Sequence, residues 1–315
     1  MALDSQMKNI IEQVRKANAP ELFQLTPDQA REEYAKRVKK LSSQETIFKF
    51  EDREIRVGNG DIKIRIYWPK ALAIDEKLPV LLFFHGGGYV IGDLNTHDSV
   101  CRILSNLADL IVVSVDYRLA PEYKFPVAVE DCFAALNWVK ENGSMIGADT
   151  NRLAVGGDSA GGNLAAVTSI LARDNGFQNI RFQLLVYPAT APEPETPSHY
   201  QFSEGFLLTR RLVTWFYKHY LRSRSDTKDF RYAPLIADDL SQLPSSLIIT
   251  AGHDPLRDEG VEYAKKLIEF GNDVRVINYN GMAHGFYLMS GAVDKAIDAL
   301  EESANALKNE LKKNS

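Results

Sequence analysis

Cysteine is scarce in this chain, whose 315 residues include only Cys101 and Cys132. Two thiols cannot build a disulfide scaffold, and without histidines at suitable spacing they cannot close a structural zinc site. Both read as packing residues, Cys132 on the amphipathic pattern Val129-Glu-Asp-Cys-Phe-Ala-Ala-Leu. Long apolar runs are missing too: none approaches the roughly 20 residues that span a bilayer, so no membrane span is expected. The start, Met1-Ala-Leu-Asp-Ser-Gln-Met-Lys, has no basic segment leading into an apolar one, so a cytoplasmic location is expected. Nor is there a surplus of positive charge. With 37 Lys and Arg against 42 Asp and Glu, the net charge of −5 gives no electrostatic reason to expect nucleic acid or an anionic membrane as partner. Internal repeats and low-complexity tracts are absent.

What is present is a globular balance, 45% hydrophobic and 25% charged, in a chain long enough for one large α/β domain with a lid or for two ordinary domains. The first 40 or so residues are helix-like, with Ile10, Ile11, Val14, Leu22 and Leu25 interrupted by Pro20 and Pro27. From Asp61 to Trp68 the pattern alternates, Ile62, Ile64 and Ile66 against Lys63 and Arg65, which predicts a half-exposed antiparallel strand near an edge. Short continuous apolar runs follow at 79–84, 110–115, 153–155, 182–186 and 247–250, each predicting a strand buried on both faces, with 274–279 more alternating. Helical patterns lie between them, at 127–140, 160–173 and 261–270. A last one from Ala292 to Lys313 carries a stripe of Val293, Ile297, Leu300, Ala304, Leu307 and Leu311. Alternating β and α units imply a mostly parallel sheet covered by helices on both faces. The segment after Pro188 breaks this alternation: a Pro- and Glu-rich stretch, then an aromatic helical stretch from Phe202 to Tyr220. It reads, with the N-terminal helices, as a lid. The division expected is residues 1–43 as N-terminal cap helices, 44–188 as the first part of the core, 189–228 as a cap insertion and 229–315 as the rest of the core.

Gly157-Asp158-Ser159-Ala160-Gly161 lies directly after an apolar run and directly before a helical pattern. A nucleophile at the tip of so sharp a strand-to-helix turn needs small residues on either side, and the helix N-terminus favours developing negative charge. The plainer alternative is a glycine-rich helix start with Ser159 as its N-cap. His85-Gly86-Gly87-Gly88 ends another apolar run. Bare backbone there can aim N–H groups at an alkoxide, with Gly86, Gly87 and Ala160 as the expected donors. A phosphate cradle fits poorly, because no GxxxxGK[ST] is present.

A serine hydroxyl needs a base, and the base needs an orienting acid. Of six histidines, His284 in Met282-Ala-His-Gly-Phe lies just beyond the 274–279 strand, and Asp254 in Gly252-His-Asp-Pro-Leu just beyond the 247–250 strand. Both therefore sit at carboxyl ends of strands, where Ser159 also lies. His253 adjoins the acid too closely, and His85 suits a backbone contact. His97, His199 and His219 suit packing or surface roles; Asp258 and Glu259 suit the first turn of a helix; Asp158 suits a structural hydrogen bond.

Together with Asp116-Tyr-Arg-Leu-Ala-Pro-Glu and Asp254-Pro-Leu-Arg-Asp-Glu-Gly, these motifs resemble the hormone-sensitive-lipase-like carboxylesterases of the α/β-hydrolase superfamily. The resemblance implies an α/β-hydrolase fold with an eight-stranded, mostly parallel sheet and a helical cap. It also implies hydrolysis of short- to medium-chain acyl esters by Ser159, Asp254 and His284, with a small-molecule ester as partner and no metal or organic cofactor. The cap would supply an acyl pocket from Leu207, Leu212, Val213 and Phe216, with Tyr89. Edge-strand homodimers occur among such relatives. An amidase or deacetylase would use the same triad, and a non-catalytic ligand receptor would keep the pocket but lose a triad member.

Overall fold

The computed structural model describes residues 2–312. Two N-terminal helices, α1 (Ser5–Ala17) and α2 (Pro27–Leu41), precede the sheet. Asp4 caps α1 by accepting the N–H groups of Gln6 and Met7, and Thr26 with Gln29 forms a capping box on α2. The sheet strands are β1 (Lys49–Val57), β2 (Gly60–Trp68), β3 (Leu78–Phe84), β4 (Ile111–Asp116), β5 (Ala148–Asp158), β6 (Ile180–Val186), β7 (Ser245–His253) and β8 (Val274–Ala283). Their spatial order is β1-β2-β4-β3-β5-β6-β7-β8. The β1–β2 and β2–β4 pairs are antiparallel, and every other neighbour is parallel.

Alternate residues of the central strands enter two separate cores, which is why those strands are apolar throughout. Val80, Leu82 and Phe84 face one side with α4 (Val127–Asn142), α5 (Ala160–Asp174) and α8 (Arg257–Glu269). Leu81 and Phe83 face the other with α1, α3 (Asp98–Ala108) and α9 (Asp294–Glu310). No helix among the described residues is long and apolar enough to cross a membrane.

Several expectations change. Strand β1 was not anticipated: in Lys49-Phe-Glu-Asp-Arg-Glu-Ile-Arg-Val only Ile55 and Val57 are buried, and an edge strand with one partner needs no apolar face along its length. Strand β5 is longer than 153–155, because pairing with β3 and β6 extends it through polar and glycine positions. The 202–220 stretch is not one helix. A short α6 (Pro197–Gln201) and α7 (Arg210–Tyr220) flank a non-helical segment containing Gly205 at φ +86, and Thr209 caps α7. Helix α9 runs from 294 to 310 rather than from 292, and Lys313 lies outside the described residues.

The turn between β5 and α5 is pressed against the end of β3. A Cβ at Gly157 or Gly161 would strike the Phe84 carbonyl oxygen, so neither position has room for a side chain. Replacing Gly161 with Ala should destabilise the fold by about 3 kcal/mol, read from urea unfolding. A change below about 0.5 kcal/mol would show that the contact can relax at little cost.

Candidate active site

Ser159 sits between β5 and α5 with φ +56 and ψ −119, a conformation costly for a residue with a side chain. The surroundings hold it there. Its N–H donates to the Val186 carbonyl at 2.8 Å, and its own carbonyl accepts from Asn163 N–H at 3.0 Å and from Ala189 N–H at 3.3 Å. The hydroxyl therefore projects beyond the carboxyl ends of the strands. Asp254 follows β7 and His284 follows β8, so three residues distant in the chain meet at one rim of the sheet.

Their hydrogen bonds form one chain. His284 Nδ1 lies 2.7 Å from Asp254 Oδ2, and His284 Nε2 lies 3.0 Å from Ser159 Oγ. An ionised carboxylate can only accept, so Nδ1 carries the proton and Nε2 presents its lone pair to the hydroxyl. Asp254 is fully buried, and its second oxygen accepts the Leu256 N–H at 2.9 Å. The Tyr187 ring packs beside the imidazole, centroids 4.4 Å apart.

The glycine loop after β3 corrects one expected donor. Gly86 N–H is already bonded to Asp158 Oδ1 at 2.9 Å, so it is not free to meet a substrate. The N–H groups of Gly87 and Gly88 have no acceptor among the described residues, and both glycines line a cavity with Ser159, Ala160 and His284. The Ala160 N–H likewise has no acceptor among the described residues. Gly88 has φ +59, and a Cβ there would run into the Phe216 ring. The bare backbone is what lets this loop and helix α7 pack together.

The cavity measures about 530 Å³. Tyr89, Leu207, Leu212, Val213 and Phe216 all line it. So do residues not expected there from the sequence, among them Ile10 and Val14 of α1, and Tyr34 and Val38 of α2. Among the described residues no group of three His, Cys, Asp or Glu side chains is placed to hold a metal ion.

A family model for the α/β-hydrolase fold matches residues 81–288. Esterase LipI of Mycobacterium tuberculosis is 44% identical over 250 residues, 79% of this chain and 78% of that one. An arylesterase of Saccharolobus solfataricus is 37% identical over 287 residues, 91% of this chain and 92% of that one. The crystal structure of a hyperthermophilic esterase from the archaeon Pyrobaculum calidifontis superposes with a TM-score of 0.92 at 40% identity, covering 98% of this chain and 99% of that one. The chain belongs to the hormone-sensitive-lipase-like α/β-hydrolases.

In this α/β-hydrolase three other histidines, His85, His97 and His199, are bound up in structure. His85 donates Nδ1 to the Gly86 carbonyl at 2.8 Å; burial, then the neighbouring His97, lowers its pKa to about 4, so the ring is neutral. His97 is buried against Asp158 at 3.1 Å. His199 of α6 is buried 2.8 Å from Glu259 of α8, whose other oxygen accepts the Thr190 N–H at 2.6 Å. Burial raises the Glu259 carboxyl, with His199 opposing. That latch ties α6 and the segment after β6 to the helix after Asp254. Sequence reading had placed His199 and Glu259 separately, and no local signal links residues 60 apart.

Proposed function

We propose that this protein is a serine carboxylesterase acting on small carboxylic esters with short to medium acyl chains. The unbroken hydrogen-bond chain from Ser159 through His284 to Asp254, opening on an apolar cavity, carries the reading. Ser159 is the nucleophile. As its oxygen attacks the ester carbon, His284 Nε2 takes the hydroxyl proton, and Asp254 holds the ring and stabilises the imidazolium. The carbonyl oxygen becomes an alkoxide that receives the N–H groups of Gly87, Gly88 and Ala160, each donor worth about 3–4 kcal/mol in comparable sites. Collapse expels the alcohol, protonated by His284, and leaves Ser159 acylated. Water, deprotonated by the same imidazole, then releases the acid.

The helices of residues 1–43 and the insertion 189–228 act as the cap. They supply the acyl wall of Leu207, Leu212, Val213 and Phe216 with Tyr89, beside α1 and α2. A cytoplasmic setting suits Cys101 and Cys132, which are free and buried.

A fluorophosphonate should label Ser159 covalently, and p-nitrophenyl esters from acetate to octanoate should be hydrolysed much faster than matched anilides. No labelling and no ester turnover would end the proposal; faster anilide cleavage would move it to amide substrates. Leu207→Trp should reduce kcat/KM for the octanoate about tenfold more than for the acetate by filling the acyl side of the cavity. Equal losses on both esters would place that wall elsewhere.

A further inference from the structure

Asp158 and His97 take no part in these proton transfers, yet both are buried behind the glycine loop. Asp158 Oδ1 accepts the Gly86 N–H at 2.9 Å and lies 3.1 Å from His97 Nε2. Nε2 also lies 3.2 Å from the Gly86 nitrogen, so the ring, the carboxylate and the amide meet at one point; because a carboxylate oxygen can only accept, the ring nitrogen beside it is placed to donate to Asp158. Burial acts to raise the Asp158 carboxyl, but His97 and the Gly86 N–H outweigh it and hold it below the ordinary range. His97 is itself fixed. Its Nδ1 lies 2.9 Å from Thr96 Oγ1, which accepts the Asp93 N–H at 2.9 Å, and the Thr96 N–H donates to Asp93 Oδ1 at 2.7 Å. The ring has His85 on one side, 5.5 Å away, and Phe83 on another, 6.3 Å away.

These contacts set the direction of the loop's peptides. The peptide between residues 85 and 86 is held at both ends. Its N–H goes to Asp158, and its carbonyl accepts the Tyr117 hydroxyl at 2.7 Å. In the next peptide, the Gly86 carbonyl accepts His85 Nδ1 at 2.8 Å. A trans peptide points its N–H opposite to its carbonyl, so the Gly87 N–H is turned away from His85. Gly86 has no side chain because Asp158 occupies that space: a Cβ would collide with the carboxylate.

We propose that His97 and Asp158 are positioning residues for the oxyanion site. His97 donates to Asp158, Asp158 holds the peptide before Gly86, and that peptide sets the direction of the Gly87 and Gly88 N–H groups. Their role is felt when negative charge develops on the substrate, not when substrate first binds. The inference rests on the carboxylesterase reading.

The test compares His97→Leu with His97→Gln in the full-length protein. Glutamine can place an amide nitrogen near the position of Nε2 and donate to Asp158; leucine cannot. The leucine variant should lose about ten- to a hundredfold in kcat with KM within about threefold. Its affinity for a trifluoromethyl ketone, which binds as the serine adduct with an oxyanion, should fall by the same factor. Affinity for the matching alcohol, which forms no adduct, should stay within about twofold of the wild type. The glutamine variant should recover to within about threefold of wild type on both measures. A leucine variant with kcat within about twofold of wild type overturns the proposal, as does a loss that glutamine fails to repair. If His97→Leu does not fold, Asp158→Asn decides. It retains an acceptor for Gly86 but not the charge, and should lose about tenfold in kcat with ketone affinity falling in step; unchanged values overturn the proposal. An inactive wild type would instead strike the carboxylesterase reading, so the two failures are distinct.

Discussion

Ester turnover falls by about 10⁵-fold or more when Ser159 becomes Ala, while the unfolding midpoint stays close to that of the parent. The hydroxyl is the one atom lost. The positive φ at this position is imposed by the bonds to Val186, Asn163 and Ala189, all made by backbone that alanine also possesses. Remaining activity would come from the N–H groups of Gly87, Gly88 and Ala160 acting on a water-attacked ester, which accounts for a residual rate above that in solution. Fluorophosphonate labelling should vanish with turnover. A Ser159→Ala protein that retains more than about one percent of wild-type kcat would require another nucleophile, and the triad assignment would fall.

Asp254→Asn should cost about 10⁴-fold in kcat, with the side chains still in place. The reason lies in two hydrogen bonds. Leu256 N–H needs an acceptor at Oδ1, 2.9 Å away, so the carbonyl of asparagine must occupy that side. Its NH₂ group then faces His284 Nδ1, 2.7 Å away in the parent, and donates to it. The neutral imidazole is forced to carry its proton on Nε2, facing Ser159, and cannot accept the serine proton. The loss comes from the tautomer rather than from a missing contact. A loss below about tenfold in kcat would mean that the Leu256 amide does not fix the amide orientation, or that His284 is not the base.

Much of this site could be read without coordinates because its motifs are short and each sits at a strand end. GxSxG and HGGG impose their turns through residues a few positions apart, and parallel strands bring the ends that carry Ser159, Asp254 and His284 to one rim. The expected donor Gly86 shows where such reading stops. Its N–H is taken by Asp158, 72 positions away, and nothing near Gly86 in the chain signals this. The same holds for the α1 and α2 side chains lining the cavity and for the His199–Glu259 latch. Strand β1 was missed for a different reason: its pairing with β2 is made by backbone, which charged side chains neither require nor reveal.

From its residues alone this chain was committed to alternating buried strands and helices and to a serine, an acid and a base at strand ends. Both follow from periodicity and from turns that only small residues permit. Only the folded molecule decided which amides remain free to meet a substrate, which helices wall the cavity and which way the imidazole holds its proton. Each of those depends on hydrogen bonds or contacts between segments far apart in the chain, and their partners become neighbours only when the sheet has assembled.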